Sequence, residues 1–221
     1  MLVFLFVSLL VAWPCANFAA PAASVPATIL VVGDSLSAAY GLRQEEGWVE
    51  LLRLRIRRDK LNYSVVNASI SGETTAGGAS RIAALLDRHR PAIVIVALGG
   101  NDGLRGTPLP VMRSQLGAML RASNERRVRA VLAGVELPPN YGADYTREFK
   151  ASFAAIARQY RAALVPSLIA GFGERRELFQ ADGMHPVARA QVLVLDNVWR
   201  VLAPLLGIRL KSAATGVLLQ L

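Results

Sequence analysis

Cysteine is almost absent from this chain. Its 221 residues hold one, Cys15, inside the apolar amino-terminal stretch. Once that stretch is removed, disulfides, thiolate metal sites and cysteine nucleophiles are all excluded. Histidine is nearly as scarce. There are two, His89 and His185, so any imidazole-dependent chemistry has two candidates. Aromatics make up 7 % of the chain. They do not interleave with the cations, so the pattern of a nucleic-acid-binding groove is missing. Acidic residues are also short, 16 against 25 Lys and Arg, for a formal net charge of +9. The arginines are spread along helix-like segments, which reads as a solvated basic surface. That charge permits contact with an anionic membrane surface.

One long apolar run exists, from Met1 to Val11, and small residues follow it to Ala23. It is shorter than the roughly 20 residues that span a bilayer, and it suits the core of an export signal. No Lys or Arg precedes it. That leaves two expectations for residues 1–23: a signal peptide cleaved near Ala20 or Ala23, or an uncleaved leader. Either way the protein is expected to be exported, to the periplasm or outside a bacterial cell. Residues 24–206 are expected to form one domain, and 207–221 a tail of no assigned role.

The strongest local signal is Ile29-Leu30-Val31-Val32 running into Gly33-Asp34-Ser35. An unbroken aliphatic run before a turn reads as a strand buried on both faces. Similar strands are expected at Tyr63–Ala68, Ala92–Leu98, Val128–Val135 and Ala163–Pro166. Helical spacing is expected over Trp48–Asp59, Gly77–Arg90, Pro110–Arg126, Ala143–Tyr160 and Val187–Leu205. Strands alternating with helices predict an α/β fold, a three-layer flavodoxin-like sandwich. Its five parallel strands would run in the order 2-1-3-4-5. Loops that follow strands then gather at one edge, where such sheets bind ligands.

Four residues are predicted to meet there. Ser35 follows the first strand, as a nucleophile or as the N-cap of a helix. Gly72 and Asn101 follow the second and third, as donors to a developing oxyanion or as ordinary turn residues. His185 opens the last helix, three residues after Asp182. An aspartate so spaced can hold one ring nitrogen while the other faces a serine. His89 ends a helix just before a strand, at the wrong edge of the sheet.

Gly33-Asp34-Ser35-Leu36, Gly72, Gly99-Gly100-Asn101-Asp102 and Asp182-Gly183-Met184-His185-Pro186 together resemble the four blocks of the GDSL, or SGNH, hydrolases. The likeness spans about Thr28 to Leu206 and is closest to the bacterial periplasmic thioesterase I, lysophospholipase and arylesterase subgroup. It implies a serine esterase that cleaves acyl esters and thioesters through an acyl-enzyme, without metal or organic cofactor. Ser35 would be the nucleophile, His185 the general base and acid, and Asp182 the orienting carboxylate. Ser35, Gly72 and Asn101 would form the oxyanion hole. Asp34 would brace the turn, and 103–108 would be a mobile substrate loop. Leu104, Leu137, Pro138 and Tyr141 are candidates for an acyl groove. The expected partner is a small acyl ester or thioester, met by a monomer, with lysophospholipid or a membrane surface as a further contact and no nucleic acid. Two rivals stay open: a carbohydrate acetyl esterase of the same fold, and a non-catalytic basic surface-binding module.

Overall fold

The computed structural model describes residues 25–209. The leader and tail expectations fall outside these residues, except for 207–209, which continue the turn after the last helix. Five parallel strands form one sheet in the order β2-β1-β3-β4-β5: β1 (Ala27–Gly33), β2 (Tyr63–Asn67), β3 (Ile93–Ala97), β4 (Arg129–Ala133) and β5 (Ala163–Val165). The order is the one expected from the alternation of elements. β3 sits at the centre, paired to β1 from Ile29–Ile93 to Gly33–Ala97 and to β4 from Ile93–Arg129 to Val96–Leu132. Ile93, Val94, Ile95 and Val96 are completely buried, because helices cover both faces of this strand.

Alternate residues along each strand feed two cores. On one face Ile29, Val31, Ile93 and Ile95 pack with α1 (Trp48–Arg58) and α6 (Gln191–Leu205). On the other, Leu30, Val32, Val94 and Val96 pack with α2 (Thr75–His89), α4 (Leu109–Glu125) and α5 (Ala143–Tyr160). Trp48, Phe149 and Phe153 are the largest fully buried side chains, so each core has an aromatic centre.

Boundaries move where a side chain decides them. α2 starts two residues before the expected Gly77, because the Thr74 hydroxyl accepts the Gly77 N–H and caps the helix. The last helix opens at Gln191, after a single 3-10 turn at Ala188–Ala190. One helix is new. The five residues α3 (Gly100–Leu104) follow β3 directly. Entry into α3 needs Gly99, whose φ is +121°, and a side chain there would also press on Phe153 at 3.0 Å.

Candidate active site

Every βα connection ends at the carboxyl edge of the sheet, and the predicted residues are on these connections. The chain after Gly33 does not start a helix, so Ser35 is not an N-cap. Instead, residues 35–40 wind through turns closed by the bonds Ala38 N–H to Asp34 C=O (2.9 Å) and Tyr40 N–H to Ser35 C=O (3.3 Å). Asp34 braces this turn. Its Oδ1 accepts the Leu36 N–H at 3.0 Å.

His185 lies in the loop between the 3-10 turn Arg176–Leu178 and the one at Ala188–Ala190. An isolated antiparallel bridge between Phe179 and Pro186 pinches that loop, with Gln180 N–H donating to His185 C=O at 2.7 Å. The pinch leaves the imidazole over Ser35. Its Nε2 is 2.8 Å from Ser35 Oγ, and its Nδ1 is 2.7 Å from Asp182 Oδ2. Asp182 Oδ1 meanwhile accepts the backbone N–H groups of Met184 (2.9 Å) and His185 (3.0 Å). Partial burial raises the Asp182 carboxyl, but these donors and the imidazole outweigh it and hold the group below its ordinary range. It therefore stays a carboxylate, which fixes the tautomer whose Nε2 can take the serine proton.

The second and third loops are tied to the first. Ile70 N–H donates to Gly33 C=O at 3.0 Å, so the chain toward Gly72 runs beside the serine turn. Gly72 is exposed with φ +80°, a conformation that favours glycine, and a side chain there would meet only the Arg105 guanidinium, at 3.9 Å. Asn101, in the first turn of α3, donates from Nδ2 to Glu73 C=O at 3.0 Å and faces Asp34 Oδ2 at 3.5 Å. Asp34 is buried and has no Lys or Arg partner among the described residues. Burial pushes its carboxyl up to about 6, against the pull of the Leu36 N–H and of a charged His185.

Three contacts carry no sequence signal. The Tyr40 ring lies 4.5 Å from the His185 ring, centre to centre, and covers it on one side. Gln180 Nε2 donates to Tyr40 C=O at 2.9 Å and ties these two loops together. Arg105 donates to Gly72 C=O at 3.2 Å, from the stretch expected to be a mobile substrate loop. Deeper down, Asp102 is 2 % exposed and accepts from both the backbone N–H (2.8 Å) and the hydroxyl (2.6 Å) of buried Thr75. That joins α3 to the start of α2.

The groove candidates divide. Tyr141 and Leu104 are half-buried neighbours, joined by the Tyr141 hydroxyl donating to Leu104 C=O at 3.1 Å. Pro138 is half-buried beside them in sequence. Leu137 is 7 % exposed and points into the core beneath α3, against Gly103. Of the expected substrate loop, Gly103 and Leu104 are helical, and Thr107 N–H closes the turn onto Asp102 C=O at 2.9 Å. His89 ends α2 at the far edge of the sheet. Among the described residues no three His, Cys, Asp or Glu side chains converge on a metal-sized site.

Residues 31–192 match the GDSL-like lipase/acylhydrolase family. The chain belongs to that family. It is 47 % identical to the esterase TesA of Pseudomonas aeruginosa over 81 % of this chain and 89 % of the relative. It is also 37 % identical to the thioesterase 1/protease 1/lysophospholipase L1 of Escherichia coli K12, over 81 % and 85 %. Among solved structures, the psychrotrophic esterase EstA from Pseudoalteromonas, inhibited by monoethylphosphonate, superposes with a TM-score of 0.77 at 39 % identity, covering 81 % of this chain and 98 % of that one. As a GDSL-family member with such relatives, the protein is a hydrolase of carboxylic esters.

Proposed function

We propose that this GDSL hydrolase cleaves acyl esters and thioesters through an acyl-enzyme on Ser35. The observation that carries the reading is the pair of short contacts from His185 Nε2 to Ser35 Oγ and from His185 Nδ1 to Asp182. In the first half-reaction, Ser35 Oγ attacks the carbonyl carbon while His185 Nε2 takes the hydroxyl proton. The carbonyl oxygen becomes an oxyanion, met by the Ser35 and Gly72 N–H groups and the Asn101 amide. Its collapse breaks the bond to the alcohol or thiol, which leaves with the proton from His185. Water then repeats the sequence on the acyl-enzyme and frees the carboxylic acid and the serine. Leu104, Pro138 and Tyr141 would border the acyl chain, with Leu137 supporting them from below.

The thioester half of the proposal leans on the Escherichia coli relative's name. Export to the periplasm or beyond belongs to the same proposal and rests on the apolar run at residues 1–11. The test is turnover of p-nitrophenyl esters and acyl-CoA by the wild type and by Ser35→Ala, with an organophosphonate as a covalent probe. The variant should lose at least a thousandfold in kcat, and the probe should add one mass increment, on Ser35. Retention of full activity by Ser35→Ala, or labelling elsewhere, overturns the assignment.

A further inference from the structure

The four connections leading from helices α1, α2, α4 and α5 into the next strand share an unusual detail. Each closes its helix with a residue in the left-handed region: Lys60 (φ +52°), Arg90 (+40°), Arg127 (+57°) and Arg161 (+56°). Glycine is the default there, because a Cβ makes this conformation costly. The protein follows the default once, at Gly207 after α6. A cation anywhere in the last turn would satisfy a helix dipole. The dipole does not require the cation at the one position where it strains the backbone.

These residues belong to a larger pattern. Segments 57–62, 87–92, 124–129, 158–163 and 205–209 form the amino-terminal edge of the sheet. They hold eleven Lys and Arg against three carboxylates, an excess of eight in a chain of net charge +9. Two of those carboxylates are already engaged, Asp59 by Arg58 and Asp87 by Arg126. Arg127, Arg158 and Arg161 are exposed and have no carboxylate partner among the described residues. With Arg129 they border an open cavity of about 580 Å³ between the ends of α4 and α5. The chain also enters β1 from this edge, through Val25, which is 89 % exposed.

We propose that this amino-terminal edge is a docking surface for an anionic phospholipid bilayer, which leaves Ser35 and His185 on the opposite side, facing water. Charge complementarity chooses the occupant: an excess of eight cations on one edge matches an anionic headgroup layer. Phosphate headgroups meet the unpaired guanidinium groups bidentately. Seated this way, the enzyme draws substrate from solution and not from the leaflet beneath it.

The test uses the full chain, sedimented with vesicles of phosphatidylcholine alone or of an equimolar mixture with phosphatidylglycerol. Salt is about 0.1 M and then about 1 M, which shortens the screening length from about 10 Å to about 3 Å. The variant carries Lys60→Gly, Arg90→Gly, Arg127→Gly and Arg161→Gly. Because glycine suits these four backbones, its melting temperature should not fall, and p-nitrophenyl ester turnover should stay unchanged. If it does melt early, asparagine at the same positions repeats the measurement, since it too tolerates this conformation. A charge-matched control carries Arg43→Gln, Arg147→Gln, Lys150→Gln and Arg175→Gln, all away from this edge. Both proteins keep the apolar run, so its contribution cancels.

The parent should prefer the phosphatidylglycerol vesicles, and lose that preference at high salt. The glycine variant should bind them roughly a hundredfold or more weakly, at about fivefold per cation, while the control stays within about threefold of the parent. Equal binding to both vesicle types overturns the proposal. So does an equal loss in the control, which would reflect overall charge. Tighter binding of a duplex oligonucleotide than of the anionic vesicles at the same salt would make the edge a nucleic-acid surface instead.

Discussion

The two edges of the sheet are built from the same repeated connection and carry opposite charge. Segments 34–47, 68–74, 98–108, 134–142 and 166–187, at the carboxyl edge, hold nine carboxylates against four cations. The amino-terminal edge holds the reverse, eleven cations against three carboxylates. Helix dipoles favour this polarity, since helix N-termini gather at the first edge and C-termini at the second. The edges differ more in what their charges touch. At the carboxyl edge, carboxylates are buried or hydrogen-bonded in place: Asp34 to Leu36, Asp102 to Thr75, Asp182 to His185, and Glu73 to Arg81. At the other edge Arg58 and Arg126 hold Asp59 and Asp87, while Arg127, Arg158 and Arg161 stand exposed without a carboxylate among the described residues. One edge uses charge to fix geometry, and the other presents it outward.

That contrast can be broken from the carboxyl edge. The largest effect should come from Asp182→Asn. The amide cannot hold the imidazole in the orientation that frees Nε2, so kcat should fall about a hundred- to ten-thousandfold on a p-nitrophenyl ester. The melting temperature should barely move, because Asp182 is partly exposed. Loss of less than tenfold would mean that the carboxylate only supports the loop.

Asp102→Ala should come next, and act on stability. It strips a carboxylate from two buried Thr75 donors, so chemical denaturation should show a loss of about 2–4 kcal/mol. Activity at saturating substrate should drop less than for Asp182→Asn, since Asp102 holds a helix junction and not the imidazole.

Asp34→Asn should sharpen the comparison with a smaller effect of the opposite sign. Asp34 is raised to about 6 from 3.8. A carboxyl so raised binds its proton more tightly folded than unfolded. Its stabilising contribution is therefore complete below about pH 4 and is lost as pH climbs through about 6. At neutral pH the wild type then carries a penalty on the order of 2–3 kcal/mol that the amide lacks. Asparagine keeps an oxygen for the Leu36 N–H. Its stability should therefore change less than the wild type's between pH 4 and pH 7 in urea titrations. Parallel pH curves for the two proteins would show that Asp34 is solvated.

Much of this architecture can be read from residues alone. Residues Ala143–Tyr160 form a helix with the expected ends, because a regular apolar face runs from Phe149 through Phe153 to Ile156. The parallel sheet follows from five aliphatic runs separated by helices. α3 is different. Five residues with two glycines have no periodicity, and the helix exists because Gly99 turns the chain and Leu137 and Phe149 pack tightly against Gly103. The placement of Asn101 after β3 was legible, but its bond to Glu73 depends on how two loops meet. Tyr40 over His185 was hidden for the same reason. The cationic edge is the plainest case. Its charges sit in five segments that start 30 to 47 residues apart, so along the chain they look dispersed, and only the closing of the sheet gathers them.

Ser35 and His185 are separated by 150 residues, and the imidazole reaches the serine only when the loop ahead of α6 has folded back. A chain being translated thus makes the proposed nucleophile early and the proposed base near the end. At roughly 5–20 residues per second, the hydroxyl waits on the order of ten seconds or more without a partner. On the proposed mechanism, partial chains carry a serine that attacks nothing. The long sequence separation keeps the hydrolase silent until it is whole.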